Sequence, residues 1–201
     1  MLSKLASYAT NSTSSIDYEK DENGRLVSAS TCNCLPEALN DGVEGAVLRL
    51  PTKKSGWSVR KGKVDAIDFT STKTIKVRGI SMLGSFSGSA TLSGNIQLKE
   101  TVSKTILLSE SFQYTSNGDY AFYDKMFSSP PYASSGVKYT LTVEYYNTAS
   151  ETIWYSNGGK ASTSSVCDGE AVNFQFSDSA ESTPSWSNVS RGQIPRILFF
   201  C

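Results

Sequence analysis

No histidine occurs in this chain of 201 residues. Its absence removes the commonest general base near neutral pH, the Ser-His-Asp and Cys-His arrangements, and every metal site built on imidazole. Charge of one sign is also missing in excess, since Lys plus Arg and Asp plus Glu number 19 each. No net field therefore gathers nucleic acid or an anionic membrane. No apolar run approaches the roughly 18 to 20 residues of a membrane span, and "MLSKLASYATNSTSS" lacks the continuous apolar region of a signal peptide. The expectation is a cytoplasmic, monomeric domain without nucleic-acid or membrane partners.

Cysteine is scarce as well, with Cys32, Cys34, Cys167 and Cys201 only. Without an export signal these are expected to be free thiols. Cys32-x-Cys34 offers two zinc ligands at most, and Cys167 and Cys201 are single and far apart, so neither a metal nor another cofactor is expected.

What the chain does contain is hydroxyl side chains, 34 Ser and 17 Thr, together with β-branched and aromatic residues. Such residues fit pleated surfaces and tight connections, and the Ala, Leu and Glu-rich stretches of helical bundles are missing. Apolar parity supports strands. Leu92, Ile96 and Leu98, then Ile106, Leu108, Phe112 and Tyr114, occupy even positions, while Val137, Tyr139, Leu141, Val143 and Tyr145 occupy odd ones. The alternate residues Lys138, Thr140, Thr142 and Glu144 suit water. Parity switches across Arg78-Gly79, which predicts a bulge, and Asp168-Gly169 predicts a hairpin turn. Seven or more short strands at this spacing give an all-β fold, an antiparallel β-sandwich over residues 56–201. Residues 1–55 read as an irregular arm, docked or partly disordered, with Pro36 and Gly42 suited to the ends of a short helix.

The ending "RGQIPRILFFC" is too apolar for a frayed terminus and reads as a final strand buried on both faces, with Pro195 at its start. Gly192 suits a close backbone approach, and the Gln193 amide could tie neighbouring loops together. Paired carboxylates for glycoside hydrolysis are available in Asp65 with Asp68 and Glu144 with Glu151. Their odd separations send them to opposite faces of a strand, so they are expected to be exposed, solubilising groups and no catalytic residue is assigned. Aromatics and amides expected in connections, Trp57, Trp154, Tyr155, Asn157 and Trp186, are candidates for binding anchors or for lids on the core edge.

The order of "GWSVRKGKVDAIDFTSTKTIKVRGISMLGS", "YSNGG", "VNFQFSDS" and "GQIPRILFF" resembles the PHR domain of the large Pam and Highwire ubiquitin ligases and of BTB-domain adaptors. The resemblance runs from about Gly56 to Phe200, and Gly192-Gln193-Ile194-Pro195 with its apolar run is the most specific part. "CDGEAVNFQFS" is more similar to the repeats of the large ligases. Two stretches depart from the family pattern: "STPSWSNVS" stands where an Asn-Gly-Thr element is usual, and "GWSVRKG" replaces a Gly-rich beginning. The resemblance implies a non-catalytic sandwich that recruits protein partners of a ubiquitin-ligase pathway. Loops at one end would present Trp57, Trp154, Tyr155, Asn157, Trp186 and Gln193. The alternative is a carbohydrate-binding sandwich.

Overall fold

The computed structural model describes residues 16–20, 26–31, 42–59, 61–147, 151–183 and 187–201. The chain divides into two compact units, Met1–Gly42 and Val43–Cys201. In the first, β1 (Ile16–Lys20) pairs antiparallel with β2 (Leu26–Thr31), so the segment expected to be irregular contains a hairpin. Cys32, Cys34 and the helix expected after Pro36 fall on residues 32–41, outside those described.

The second unit begins with β3 (Glu44–Leu48) and β4 (Thr52–Val59), then β5 (Val64–Ser71), β6 (Ile75–Leu83), β7 (Ser89–Glu100) and β8 (Ile106–Asn117). It continues with β9 (Phe122–Met126), β10 (Tyr132–Ala133), β11 (Tyr139–Tyr145) and β12 (Glu151–Asn157). The last elements are β13 (Ser162–Cys167), β14 (Glu170–Asp178), β15 (Arg191–Gly192) and β16 (Arg196–Phe200). The boundary expected after residue 55 is therefore displaced. Segment 44–59 cannot be an arm, because β3 pairs with β16, β4 pairs with β12, and Val47, Leu50 and Val59 are buried.

Among the described residues of the second unit, three antiparallel sheets form. One runs β10-β6-β16-β3 with β9 also on β6, a second runs β13-β14-β5-β11-β7-β8, and a small third runs β15-β12-β4. The first two face each other across an apolar core, as their inward residues show: the ring centroids of Phe174 on β14 and Phe199 on β16 lie 5.3 Å apart. This is the antiparallel sandwich expected. The small sheet joins the first through the bridge between Ser85 and Ile153.

Period-two burial holds along β7, where Leu92, Ile96 and Leu98 are fully enclosed, while β11 is covered on both faces. It fails at Ile106, which is exposed. The register between β7 and β8 slips at Leu98/Lys99, so Leu98 faces Leu108 while Lys99 faces Ile106, and the extra residue turns Ile106 out of the core face. Thr140 and Thr142, expected in water, are buried because β11 lies inside the sheet between β5 and β7. The Thr140 hydroxyl is satisfied there by Asp68 at 2.8 Å and Thr101 at 2.9 Å.

The bulge predicted near Gly79 is present: Leu198 pairs with Gly79 and Phe199 with Val77, which leaves Arg78 over. A side chain at position 79 would also strike the Lys125 carbonyl, so β9 can approach only a glycine. Asp168 and Gly169, with φ of 52° and 73°, make the two-residue turn between β13 and β14. In β16, Ile197 and Phe199 point into the core and Phe200 is covered, whereas Arg196 and Leu198 are only half-buried. The last strand is thus buried fully on one face and partly on the other.

Cys167 and Cys201 form a disulfide, with Cα atoms 6.3 Å apart, which corrects the expectation of free thiols. Sequence distance hid the pair, since 34 residues separate them. The β13-β14 hairpin and the end of β16 meet in space because they belong to the two facing sheets. A bridge closing a loop of this length removes about 3 to 4 kcal/mol of chain entropy from the unfolded state. Reduction, or Cys201→Ser, should lower stability by that order, read as a lower urea midpoint than that of the oxidised chain. Coincident midpoints would show that the bridge contributes nothing to stability.

Candidate functional site

The Gly192-Gln193-Ile194-Pro195 segment is built over two buried charges. Arg49, just after β3, and Asp65, on β5, are both enclosed. Arg49 Nε donates to the Ile194 carbonyl at 3.0 Å and Nη1 donates to the Asn188 carbonyl at 2.9 Å. The Arg49 and Leu50 N–H groups both donate to the Pro195 carbonyl, at 2.8 and 3.3 Å. Asp65 accepts hydrogen bonds from the Ser187 hydroxyl and from the Gln193 N–H. Burial lowers the Arg49 pKa to about 10, against the opposing charges of Asp65 and Asp178. Burial likewise raises Asp65 above the usual carboxylate range, with Arg49 and the Gln193 and Ile194 N–H groups pulling the other way.

Gly192 is required by this arrangement. A Cβ there would lie 2.9 Å from Arg49 Nη2, 2.9 Å from Ser187 Oγ and 3.2 Å from Asp65 Oδ1. Gln193 is only 2 % exposed, so it is no surface contact, and its side-chain Nε2 is buried without a hydrogen-bond partner. The loops are tied by its backbone N–H, not by the amide. Ile194 is fully buried and Pro195 precedes β16, as expected. Two of the four carboxylates expected to be solvated are not. Asp65 and Asp68 are both enclosed, one serving the Gly192–Pro195 loop and the other Thr140, because β5 is an inner strand of its sheet.

The candidate anchors fall in strands more than in connections. Trp57 lies on β4, paired with Ile153, and Trp154 and Tyr155 lie on β12, with Asn157 at its end opposite Thr52 and Arg191. Trp186 lies outside the described residues. The β12–β4 register is irregular between Trp154 and Ser156, and both Trp154 and Tyr155 are half-buried.

Trp154 belongs to a row of rings. Phe86 meets it edge-on at 4.5 Å, Tyr120 meets it edge-on at 5.6 Å, and Phe122 follows Tyr120 at 6.1 Å. Phe86 can sit there because Gly56, opposite Trp154, has no side chain; a Cβ at 56 would lie 2.6 Å from the Phe86 ring. The Trp154 indole N–H donates to the Gly118 carbonyl at 3.4 Å, and the Tyr120 and Ser156 hydroxyls are hydrogen-bonded, which fixes both rings. Phe86 and Phe122 are 39 % and 36 % exposed, and the two central rings are half-buried.

Cations attend the middle of the row and its Phe122 end. Lys53 Nζ lies 4.2 Å from the Trp154 ring and 5.2 Å from Tyr120, and the Arg196 guanidinium lies 4.6 Å from Phe122. Arg196 is anchored by Asp124 at 2.9 and 3.1 Å and by Ser81 at 2.8 Å. Phe86, Tyr120, Phe122 and Lys53 were absent from the sequence candidates. "GSFSGS" and "NGDYAFYD" carry the signal used for the tryptophans, aromatics set among turn residues, and it identifies three of the four. Nothing local marks Lys53.

The fold and this surface define a class, an antiparallel sandwich presenting a rigid row of half-exposed aromatic rings. More specifically, the chain belongs to the PHR domain family, whose model matches residues 49–200. It is 28% identical over 149 residues to BTB/POZ domain-containing protein 6-A of Danio rerio, covering 74% of this chain and 26% of the relative. The human BTB/POZ domain-containing protein 6 gives 28% over 148 residues, with the same coverage. BTB/POZ domain-containing protein 3 of Mus musculus gives 29% over 149 residues. The match thus spans about a quarter of the length of these relatives.

Proposed function

We propose that the chain is a non-catalytic protein-binding module of a ubiquitin-ligase system and that the row Phe86, Trp154, Tyr120 and Phe122 is its contact surface. Membership of the PHR family and the BTB/POZ relatives support the adaptor context. The single observation carrying the surface is the fixed, half-exposed aromatic row, since Trp and Tyr anchors held rigid before binding are what interfaces use for most of their affinity. Lys53 lies over the Trp154 and Tyr120 rings, where a sugar ring would otherwise stack, which favours a protein over a carbohydrate.

Affinity capture followed by mass spectrometry, run in parallel with wild type, Trp154→Ala, Tyr155→Ala and Gln193→Ala, tests this. Trp154→Ala should lose partner capture by about 2 kcal/mol or more in the isolated interaction while the domain still melts cooperatively. Gln193→Ala should alter stability more than binding, because position 193 is enclosed. Recovery of ligase components by wild type and their loss from Trp154→Ala supports the proposal; equal recovery by both removes the row as the contact surface. A disulfide is uncommon in the cytosol. The state of Cys167 and Cys201 in protein isolated under alkylating conditions therefore tests the cytoplasmic location suggested by the sequence.

A further inference from the structure

We infer that the partner of the aromatic row is an acidic peptide segment, one that places an Asp or Glu carboxylate on Lys53 and the apolar side chain beside it against Trp154 and Phe86. The inference rests on the contact surface proposed above and adds the chemistry of what it holds. It starts from the charge of the small sheet. The strands β4 and β15 carry Lys53 and Arg191 around the end where Thr52, Asn157 and Arg191 are in register. Lys160 follows β12 just beyond that end.

Lys53 is exposed, and among the described residues its ammonium meets two ring faces and no carboxylate. Lys73, Lys99, Lys104 and Lys125, by contrast, all have glutamate partners. Carboxylates on neighbouring segments are engaged elsewhere. Asp124 holds Arg196 and Ser81, Asp119 accepts from the Tyr123 hydroxyl at 3.3 Å, and Asp178 accepts from the Val189 N–H at 2.7 Å. An ammonium held over two rings is already oriented, so an incoming carboxylate meets a fixed charge. A basic segment would meet Lys53 head-on. An acidic one gains the ion pair and the apolar face together.

The test is a selection of phage-displayed random peptides on the full chain, followed by titration of the selected peptides as synthetic, fluorescently labelled probes. Selected sequences should share an Asp or Glu adjoining Pro, Leu or an aromatic residue. Their affinity should fall by about tenfold or more on Lys53→Glu, less on Lys53→Gln, and should weaken as salt is raised. Position 53 is exposed, so each variant should keep the wild-type melt, which is measured alongside. Peptides that are neutral or basic, or that bind Lys53→Glu as tightly as wild type, overturn the acidic partner. If those peptides are still lost on Trp154→Ala, the contact surface stands without its charge rule, whereas binding untouched by both substitutions removes the surface as well. Failure to select any peptide above the blank support also overturns the inference.

Discussion

Removal of residues 197–201 should abolish cooperative folding. β16 lies between β6 and β3, so its loss strips hydrogen-bonded partners from two strands at once. It also removes Ile197, Phe199 and Phe200 from the core. Each such side chain is worth about 1.5 to 3 kcal/mol, so the three together rival the roughly 5 to 15 kcal/mol by which a domain is stable. The bridge from Cys167 to Cys201 goes with them. Phe199→Ala keeps the ladder and should cost about 3 to 5 kcal/mol through the cavity it leaves over Gly45, whose Cα faces the ring closely. A truncated chain whose thermal melt matches the full one would show that β16 is dispensable.

The second large effect is expected at Asp65. Asp65→Ala leaves Arg49 charged in an enclosed site and removes the acceptor of the Ser187 hydroxyl and the Gln193 N–H. Each buried donor left without its acceptor costs about 1 to 3 kcal/mol, and the Arg49 charge loses its opposing neighbour besides. Asp65→Asn, which keeps an acceptor oxygen, should cost less. The pH dependence has a definite sign. The folded pKa of Asp65 is raised, so its contribution to stability is complete below the unfolded carboxylate value of 3.8 and is lost as pH rises through the folded value. Wild type should therefore gain on Asp65→Asn as the pH falls from neutrality toward 4, in denaturant midpoints measured across that range. An Asp65→Ala midpoint indistinguishable from wild type would remove Asp65 from the lock beneath the Gly192–Pro195 loop.

How much of this was legible in the chain depended on whether its cause was local. The parity of Leu92, Ile96 and Leu98, the turn at Asp168-Gly169 and the bulge at Arg78-Gly79 are consequences of neighbours a few residues apart, and each is present. Ile106 was misplaced because a one-residue slip in pairing, invisible in either strand alone, reverses which face a side chain takes. Asp65 looked like an ordinary surface carboxylate, since nothing near it in the chain announces Arg49, Ser187 or Gln193. Trp154 was a candidate on composition. Phe86 and Tyr120, which turn it into a surface, come from separate connections and meet it only across strands.

By itself the sequence determined the class, an all-β sandwich with its last strand apolar and its final motif a tight Gly-Gln-Ile-Pro turn, because alternation, turn chemistry and close backbone approach act over a few residues. The tertiary structure alone decided which distant groups share a site. It joined Cys167 to Cys201, buried Arg49 against Asp65, and set Lys53 over Trp154, because antiparallel pairing and sheet packing put residues far apart in the chain at contact distance.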